Sequence, residues 1–235
     1  MKMTILDMVQ SVLNDMDSDF ANDINATSES QQVTSIIKDA YYKMVTSRDN
    51  WPFLGTLTTL EGLGDTTNPT KMRIPDGMSN IGWIKYNKSD VAYTKPKDFK
   101  DLIDKRVAVT GTIDANGYAL NRNPVYWTSY DDNFVVMDGY NTAVDTTLQG
   151  SKSAIFGYIN PTWQVSNNFI PLLPDKFFPI LLADAKGTAF LALKQQANAK
   201  EESFATKGKD RMTAIGRRVV ASESKTNDAV NFGRK

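Results

Sequence analysis

The chain has 235 residues, 41% of them hydrophobic, with 27 basic and 27 acidic side chains and neither cysteine nor histidine. That length suffices for one large domain or two small ones with a buried core. The missing residue types exclude disulfides, thiolate nucleophiles, Cys/His zinc sites, haem ligation through those residues, and serine–histidine or cysteine–histidine catalysis. In chain order, the first helix is capped by Thr4, with Asp7 in its first turn. Ile5, Met8, Val9, Val12, Leu13 and Met16 mark one buried face, and the pattern stops at Asp17. A second helix starts near Thr27 or Ser28, where Ser28 and Gln31 are read as a capping box. Its stripe is Val33, Ile36, Ile37, Ala40, Tyr41, Met44 and Val45, ended by Asn50-Trp51-Pro52.

Residues 56–172 change character. Short β-type runs recur at Gly55–Leu60, Lys71–Ile74, Ile81–Tyr86, Val91–Tyr93, Val107–Gly111, Gly117–Leu120, Val125–Tyr130, Phe134–Asp138, Ala154–Ile159 and Thr162–Val165. Strands at that spacing argue for a sandwich or barrel. VYWTSYDDNFVVMDGY reads as a hairpin with Asp131, Asp132 and Asn133 as its turn. PKDFKDLIDKR, residues 96–106, is an amphipathic helix within the β region. From Pro174 the helical rhythm returns. Asp175 is the expected cap, Pro179 fits the first turn, and Phe178, Leu181, Leu182, Ala185, Ala189, Ala192 and Leu193 carry the stripe. Residues 198–218 are more charged, with Phe204, Met212 and Ile215 as sparse anchors. Residues 222–235 lack periodicity and are expected to be extended.

The reading is α+β. A helical bundle domain from residues 1–54 and 174–221 shares one core, because neither half buries its stripe alone. An antiparallel β-rich domain, sandwich- or barrel-like, is inserted at residues 55–173, and a docking tail spans 222–235.

Chemistry is sparse. NDMDSDFANDIN, residues 14–25, starts like a calcium loop with Asp15, Asp17 and Asp19. Phe20 stands where the sharp turn needs glycine, and Ala26 stands where a bidentate glutamate is needed. The stretch reads as a polar joint between two helices. Asp131 and Asp132 sit in a turn, and Asp65, Asp76, Asp138 and Asp145 lie in loop-like contexts with no pairing visible. GLGD at residues 62–65 lacks the rest of a phosphate-loop pattern. The aromatic residues Trp83, Tyr86, Trp127, Tyr130, Tyr140, Tyr158 and Trp163 suit either cross-strand core pairs or a sugar surface. No catalytic residue, cofactor or metal is expected, nor a membrane span or secretion signal, since no apolar run approaches roughly 18 residues.

The zero net charge is unevenly placed. Residues 1–50 carry four basic and eight acidic side chains, and residues 198–235 carry nine basic and five acidic ones. Such a split suits head-to-tail contacts between copies and is too weak for a nucleic-acid assignment. Arg217-Arg218 and Arg234-Lys235 are candidates for DNA phosphates or an acidic protein, or else form a solvated helix end suited to cations.

Several segments together resemble a known family. LDMVQSVLNDMDSDFANDIN, SESQQVTSIIKDAYYKMV, VYWTSYDDNFVVMDGY, DTTLQGSKSAIFGY and FIPLLPDKFFPILLADAKGTAFLALKQQANAKEES are similar in order and character to the head-to-tail adaptor proteins of short-tailed phages, the tail tubular protein A-like family. The likeness runs over most of residues 4–218. It implies a structural, non-enzymatic virion protein, assembled in the host cytoplasm into a ring, typically of twelve copies. The ring connects the portal protein to the tail nozzle protein, and genomic DNA passes through its lumen without sequence-specific binding. It also implies a portal-docking tail including Asn231, Phe232, Gly233, Arg234 and Lys235, with Arg217 and Arg218 nearby and Phe232 as an apolar anchor. The hairpin tip Asp131, Asp132 and Asn133 would face the nozzle. The alternative is a phage tail-associated protein that binds or degrades polysaccharide with the β-rich region.

Overall fold

A computed structural model describes the backbone of residues 2–231 and the side chains of residues 2–217. The first helix, α1 (Ile5–Asp15), opens with a reciprocal cap: Thr4 Oγ1 accepts from Asp7 N, and Thr4 N donates to Asp7 Oδ2. Helix α2 (Ser28–Val45) is capped by Thr27 with Ser30 as the reciprocating residue, not by Ser28 with Gln31. The shift has a physical basis. Thr27 has extended backbone, as a cap requires, and the buried Ser30 hydroxyl also donates toward Ile24 O. The second stripe runs through Val33, Ile37, Ala40, Tyr41, Met44 and Val45, with Thr34 buried and Ile36 half-buried.

The chain divides into two compact units, Met1–Leu54 with Pro161–Lys235, and Gly55–Asn160. In the first, helix α4 (Phe178–Lys194) contacts α1, α2 and the last helix, α5 (Ala199–Asn231). Phe178, Ile180, Leu181, Ala183, Ala185, Gly187 and Ala189 are all buried, so α4 is covered on several sides, as a central helix must be. Asp175 does not cap it. A 3₁₀ turn (Asp175–Phe177) leads into α4, and Pro179 occupies the first turn, where a missing N–H costs nothing. Helix α4 ends at Gln195, which is left-handed (φ 53°). Asn198 Oδ1 then accepts from Glu201 N at the start of α5. Ala205, Gly208, Met212 and Gly216 form the buried seam of α5. A Cβ at Gly208 would stand 2.6 Å from an Ile180 side-chain carbon, so the glycine sets how closely α5 approaches α4.

Two further expectations are corrected in this unit. Helix α5 runs to Asn231, so residues 222–231 continue a helix where an extended tail was expected; no proline or glycine interrupts them. Phe232, Gly233, Arg234 and Lys235 lie outside the described residues. Residues 161–173 belong with the helices and not with the β-rich region, and Thr162–Val165 is not a strand. Ile5 N donates to Phe169 O (2.9 Å) and Leu6 N to Asn167 O (3.2 Å). Trp163 packs on Tyr41 and Phe169, with ring centroids 5.6 Å apart in each case.

The second unit holds one eight-stranded sheet: β1 (Gly55–Thr58), β2 (Glu61–Gly62), β3 (Lys71–Arg73), β4 (Met78–Tyr86), β5 (Ser89–Tyr93), β6 (Tyr126–Thr128), β7 (Phe134–Met137) and β8 (Ser153–Ile159). Their spatial order is β1-β8-β4-β5-β6-β7-β3-β2. Only Thr59 and Leu60 join β1 to β2, yet these strands stand at opposite ends of that order. A flat sheet would separate them by about 34 Å, whereas the linker reaches roughly 10 Å. The sheet therefore curls until its ends meet, a half-barrel in place of a sandwich. At the seam Leu60 N donates to Ser153 Oγ (2.8 Å), and a Cβ on Gly150 would come within 2.6 Å of Leu60 O. The core inside the curl is Leu60, Met72, Ile74, Ile84, Tyr86, Val91, Trp127, Val135, Met137, Leu148 and Ile155.

Pairing is antiparallel except between β5 and β6, which are parallel. A parallel pair needs a crossover, and α3 (Pro96–Asp104) lies within it, burying Phe99 and Ile103. Strands β4 and β5 form a tight hairpin through Asn87 and Lys88, both at positive φ (47° and 68°), as a two-residue type I′ turn requires. Residues 107–111 and 117–120, expected as strands, make only isolated bridges such as Val109 with Ile113 and Ala119 with Gly139.

Candidate assembly surfaces

The polar joint between α1 and α2 is held by partners distant in sequence. Asp23 Oδ1 accepts from Asn25 N (2.7 Å), and Asp23 Oδ2 accepts from Asn167 Nδ2 (2.7 Å). The Asn25 amide first, and then the Asn167 side chain, hold the Asp23 carboxyl below its usual range. Asn167 Oδ1 in turn accepts from Ile24 N. Asp15 pairs with Lys186 of α4 (2.7 Å), and Ser18 Oγ donates to Glu29 Oε1 (2.8 Å). Among the described residues no group of three or more carboxylates, histidines or cysteines could hold a metal ion. Asp17, Asp19 and Phe20 are among the joint's exposed residues, Phe20 being 69% exposed.

The expected charge split between the ends is partly consumed within the chain. Besides Asp15, Glu29 lies 3.8 Å from Lys194 of α4, and Lys209 of α5 pairs with Asp184 of α4 (2.6 Å). Arg217 is exposed on α5. The side chains of Arg218 and Asn231 lie outside the described residues, as do Phe232, Gly233, Arg234 and Lys235 altogether. A second cation, Arg48, sits beneath α5. Its Nε donates to Asn50 Oδ1 (2.6 Å), its guanidinium lies over the Trp51 ring, and a Cβ at Gly216 would overlap Nη1.

In the β-rich unit, Asp131, Asp132 and Asn133 lie together in the turn joining β6 to β7. Asp131 Oδ1 accepts from Phe134 N (3.1 Å), and Asp132 is left-handed (φ 56°), a conformation that Asp tolerates. A polar cleft of about 580 Å³ lies beside this turn, lined by Tyr118, Tyr130, Phe134, Asn68, Asp114 and Asp131 among others. Its carboxylates are engaged. Asp104 holds Lys100 (2.6 Å), Asp114 accepts from Asn116 N and Tyr118 N, and Asp131 serves its own turn.

The strongest polar centre is Asp138, which the sequence leaves among unpaired loop-like aspartates. It is fully buried. Its Oδ2 accepts from Arg106 Nη2 (2.6 Å) and Arg122 Nη2 (2.7 Å), and its Oδ1 from Val125 N (2.7 Å) and Tyr126 N (2.9 Å). Arg106 Nη1 also donates to Asp138 O (2.8 Å). One carboxylate thus fastens the exit of α3, the irregular segment after it and the start of β6. Burial is the largest influence on this carboxyl and pushes it up. The Arg106 bond, the Tyr126 and Val125 amides and the Arg122 charge together outweigh it and hold the group below its usual range. The available signal was an aspartate closing a strand whose alternate residues, Val135 and Met137, are both core.

Comparison with known proteins finds no matching family model and no matching curated protein. Among the described residues no helix is long and apolar enough to cross a membrane.

Proposed function

We propose that this chain is a structural virion protein, a head-to-tail adaptor that forms a ring between portal and tail nozzle in a short-tailed phage. The observation that carries the reading is the organisation of the chain. Both ends contribute helices to one unit, and residues 55–160 form a second unit between them. The segment order resembling the adaptor family supports it further. In this reading the helical unit, a bundle, docks to the portal, and Asp131, Asp132 and Asn133 face the nozzle. DNA passes through the lumen of a twelve-copy ring. The docking element is the end of helix α5 with residues 232–235, in place of an extended tail, and Arg217 is its exposed cation among the described side chains.

A ring repeats one heterologous contact until it closes, so individually modest contacts suffice. Asp17 and Asp19 are among the exposed acids of the N-terminal stretch, with Asp39 and Asp49. The decisive experiment is truncation after Ala221 followed by portal pull-down and electron microscopy of assembled particles. The adaptor reading expects portal binding to be lost and the intact chain to surround the tail axis. Unchanged portal binding would remove the docking assignment, and a location away from the axis would remove the adaptor role. Ring mass at low and high salt tests the charge contribution.

The aromatic and amide lining of the 580 Å³ cleft supports a second reading, a polysaccharide-binding surface. Titration of host polysaccharide against the intact protein and a Tyr130→Ala variant tests it; no binding to either discards it.

A further inference from the structure

Strand β4 has an unfilled edge. On one side it pairs with β8 over Met78–Tyr86. On the other it pairs with β5 only at Ile84, Lys85 and Tyr86. Beyond Val91, β5 turns away to pair with β6 through Ala92 and Tyr93. The edge formed by Ser79–Trp83 is therefore left without a neighbouring strand among the described residues. Two register irregularities fall in the same stretch, at Met78/Asn80 and Ile81/Trp83. A cleft of about 800 Å³ opens there, between residues 78–82 and a wall made by Tyr93, Trp127 and the β6–β7 turn. Tyr93 and Trp127 meet edge to face, 4.9 Å apart, and Tyr93 is 57% exposed. Among the described residues lining this cleft, Asp132 is the one acidic or basic side chain.

Exposed strand edges recruit further strands, because unpaired N–H and C=O groups in a row template an incoming chain. The molecule also carries a segment suited to that role. Lys-Arg-Val-Ala-Val-Thr, residues 105–110, has the β-branched alternation of a strand but lies in no sheet. Val107 is 76% exposed and Val109 50%. Val109 is engaged in a local turn with Ile113. Val107, Ala108 and Thr110 make no backbone hydrogen bond among the described residues. Arg106 is committed to Asp138, which leaves Lys105 as the exposed cation beside the segment.

We propose that the 107–110 segment of a second copy of this chain adds as a strand to the Ser79–Trp83 edge. Its valines face Tyr93, Trp127 and Ile81, and its Lys105 faces Asp132. The two surfaces differ, so the contact is heterologous and propagates from copy to copy. The inference concerns how copies meet and stands whether or not the virion role does.

The test uses the absence of cysteine. Full-length Asn80→Cys and Ala108→Cys variants, each exposed at the substituted position, are mixed at a concentration where sedimentation shows association, and then oxidised. A disulfide-linked dimer containing one of each variant is expected, and its absence overturns the proposal. Ala108→Pro removes an N–H that serves nothing within the chain. It is expected to weaken self-association about tenfold or more, as loss of an edge hydrogen bond and its register would, with an unchanged circular dichroism spectrum. Undiminished association of the folded proline variant, or a wild-type chain that stays monomeric at every concentration, also overturns it.

Discussion

In the helical unit, residues that share a face lie three or four positions apart: Ile5 with Met8 and Val9, Val33 with Ile37, Ile37 with Tyr41. In the β-rich unit the deciding partners are remote. Leu60 meets Ser153 at the seam, β1 pairs with β8, and Asp138 gathers Arg106 and Arg122. The helical unit rests on periodic apolar burial, which tolerates small changes if volume is kept. The β-rich unit rests on a few long-range connections, each of which closes a large stretch of chain. The difference teaches where each unit is fragile.

The largest effect is expected from Asp138→Ala. It leaves two guanidinium groups and two amides without their acceptor, and breaking a buried pair this way costs about 3–5 kcal/mol. Urea unfolding followed by the fluorescence of the buried Trp127 should report it. The same group predicts an acid limb. Its folded pKa lies below the unfolded value of about 3.9, so its contribution is present above that pH and is lost as pH falls through the folded value. In Asp138→Asn the loss below about pH 4 should be shallower than in wild type.

Alkali does not separate the units as cleanly. Burial pushes Tyr41 of the helical unit up to about 12, with Tyr42 adding to the rise. Burial also raises Tyr86, Tyr118 and Tyr140 of the β-rich unit. Stability contributed by Tyr41 is full below about pH 10 and declines as pH rises toward its folded value, and Tyr41→Phe should remove that share of the alkaline loss.

Next in size comes Gly150→Ala, which sets a methyl against the Leu60 carbonyl at the seam of the curl. Backbone cannot step aside there, so a thermal shift corresponding to about 1–3 kcal/mol is expected. Gly208→Ala presses on the Ile180 side chain, which can repack, and also gains helix propensity worth about 1 kcal/mol. Its net cost should be the smaller of the two. Equal or reversed costs would break the contrast between a unit closed by backbone and one packed by side chains. The smallest effects test the caps. Thr27→Ala should cost about 1 kcal/mol, while Ser28→Ala should change denaturation midpoints little.

The helices were legible because a helix places i, i+3 and i+4 on one face whatever lies opposite. The Thr4 cap was legible for the same local reason. The second cap was misplaced by one residue because Thr27 and Ser28 both present hydroxyls, and only Ser30's bond to Ile24 chooses between them. Val107–Gly111 was read as a strand from propensity, and among the described residues it makes only the isolated Val109–Ile113 bridge. Asp138 could not be distinguished from Asp76 or Asp145 by spacing, since its partners lie up to 32 residues away. Of the surfaces proposed for assembly, the 131–133 turn was visible in its Asp-Asp-Asn chemistry. The β4 edge was not, because a free edge is defined by the strand that fails to arrive.

By itself the sequence determined the helical stripes of α1, α2 and α4, the β-rich character of the middle of the chain, and which catalytic chemistries are excluded by the lack of cysteine and histidine. Those properties follow from local periodicity and residue type. Tertiary structure alone decided that α4 is the central helix, that the sheet curls to join β1 with β2, that Asp138 is the buried anchor, and that β5 leaves β4 half unpaired. Each of these depends on which residues distant in the chain become neighbours, and hydrophobic burial, being non-directional, does not write that choice into any short stretch of sequence.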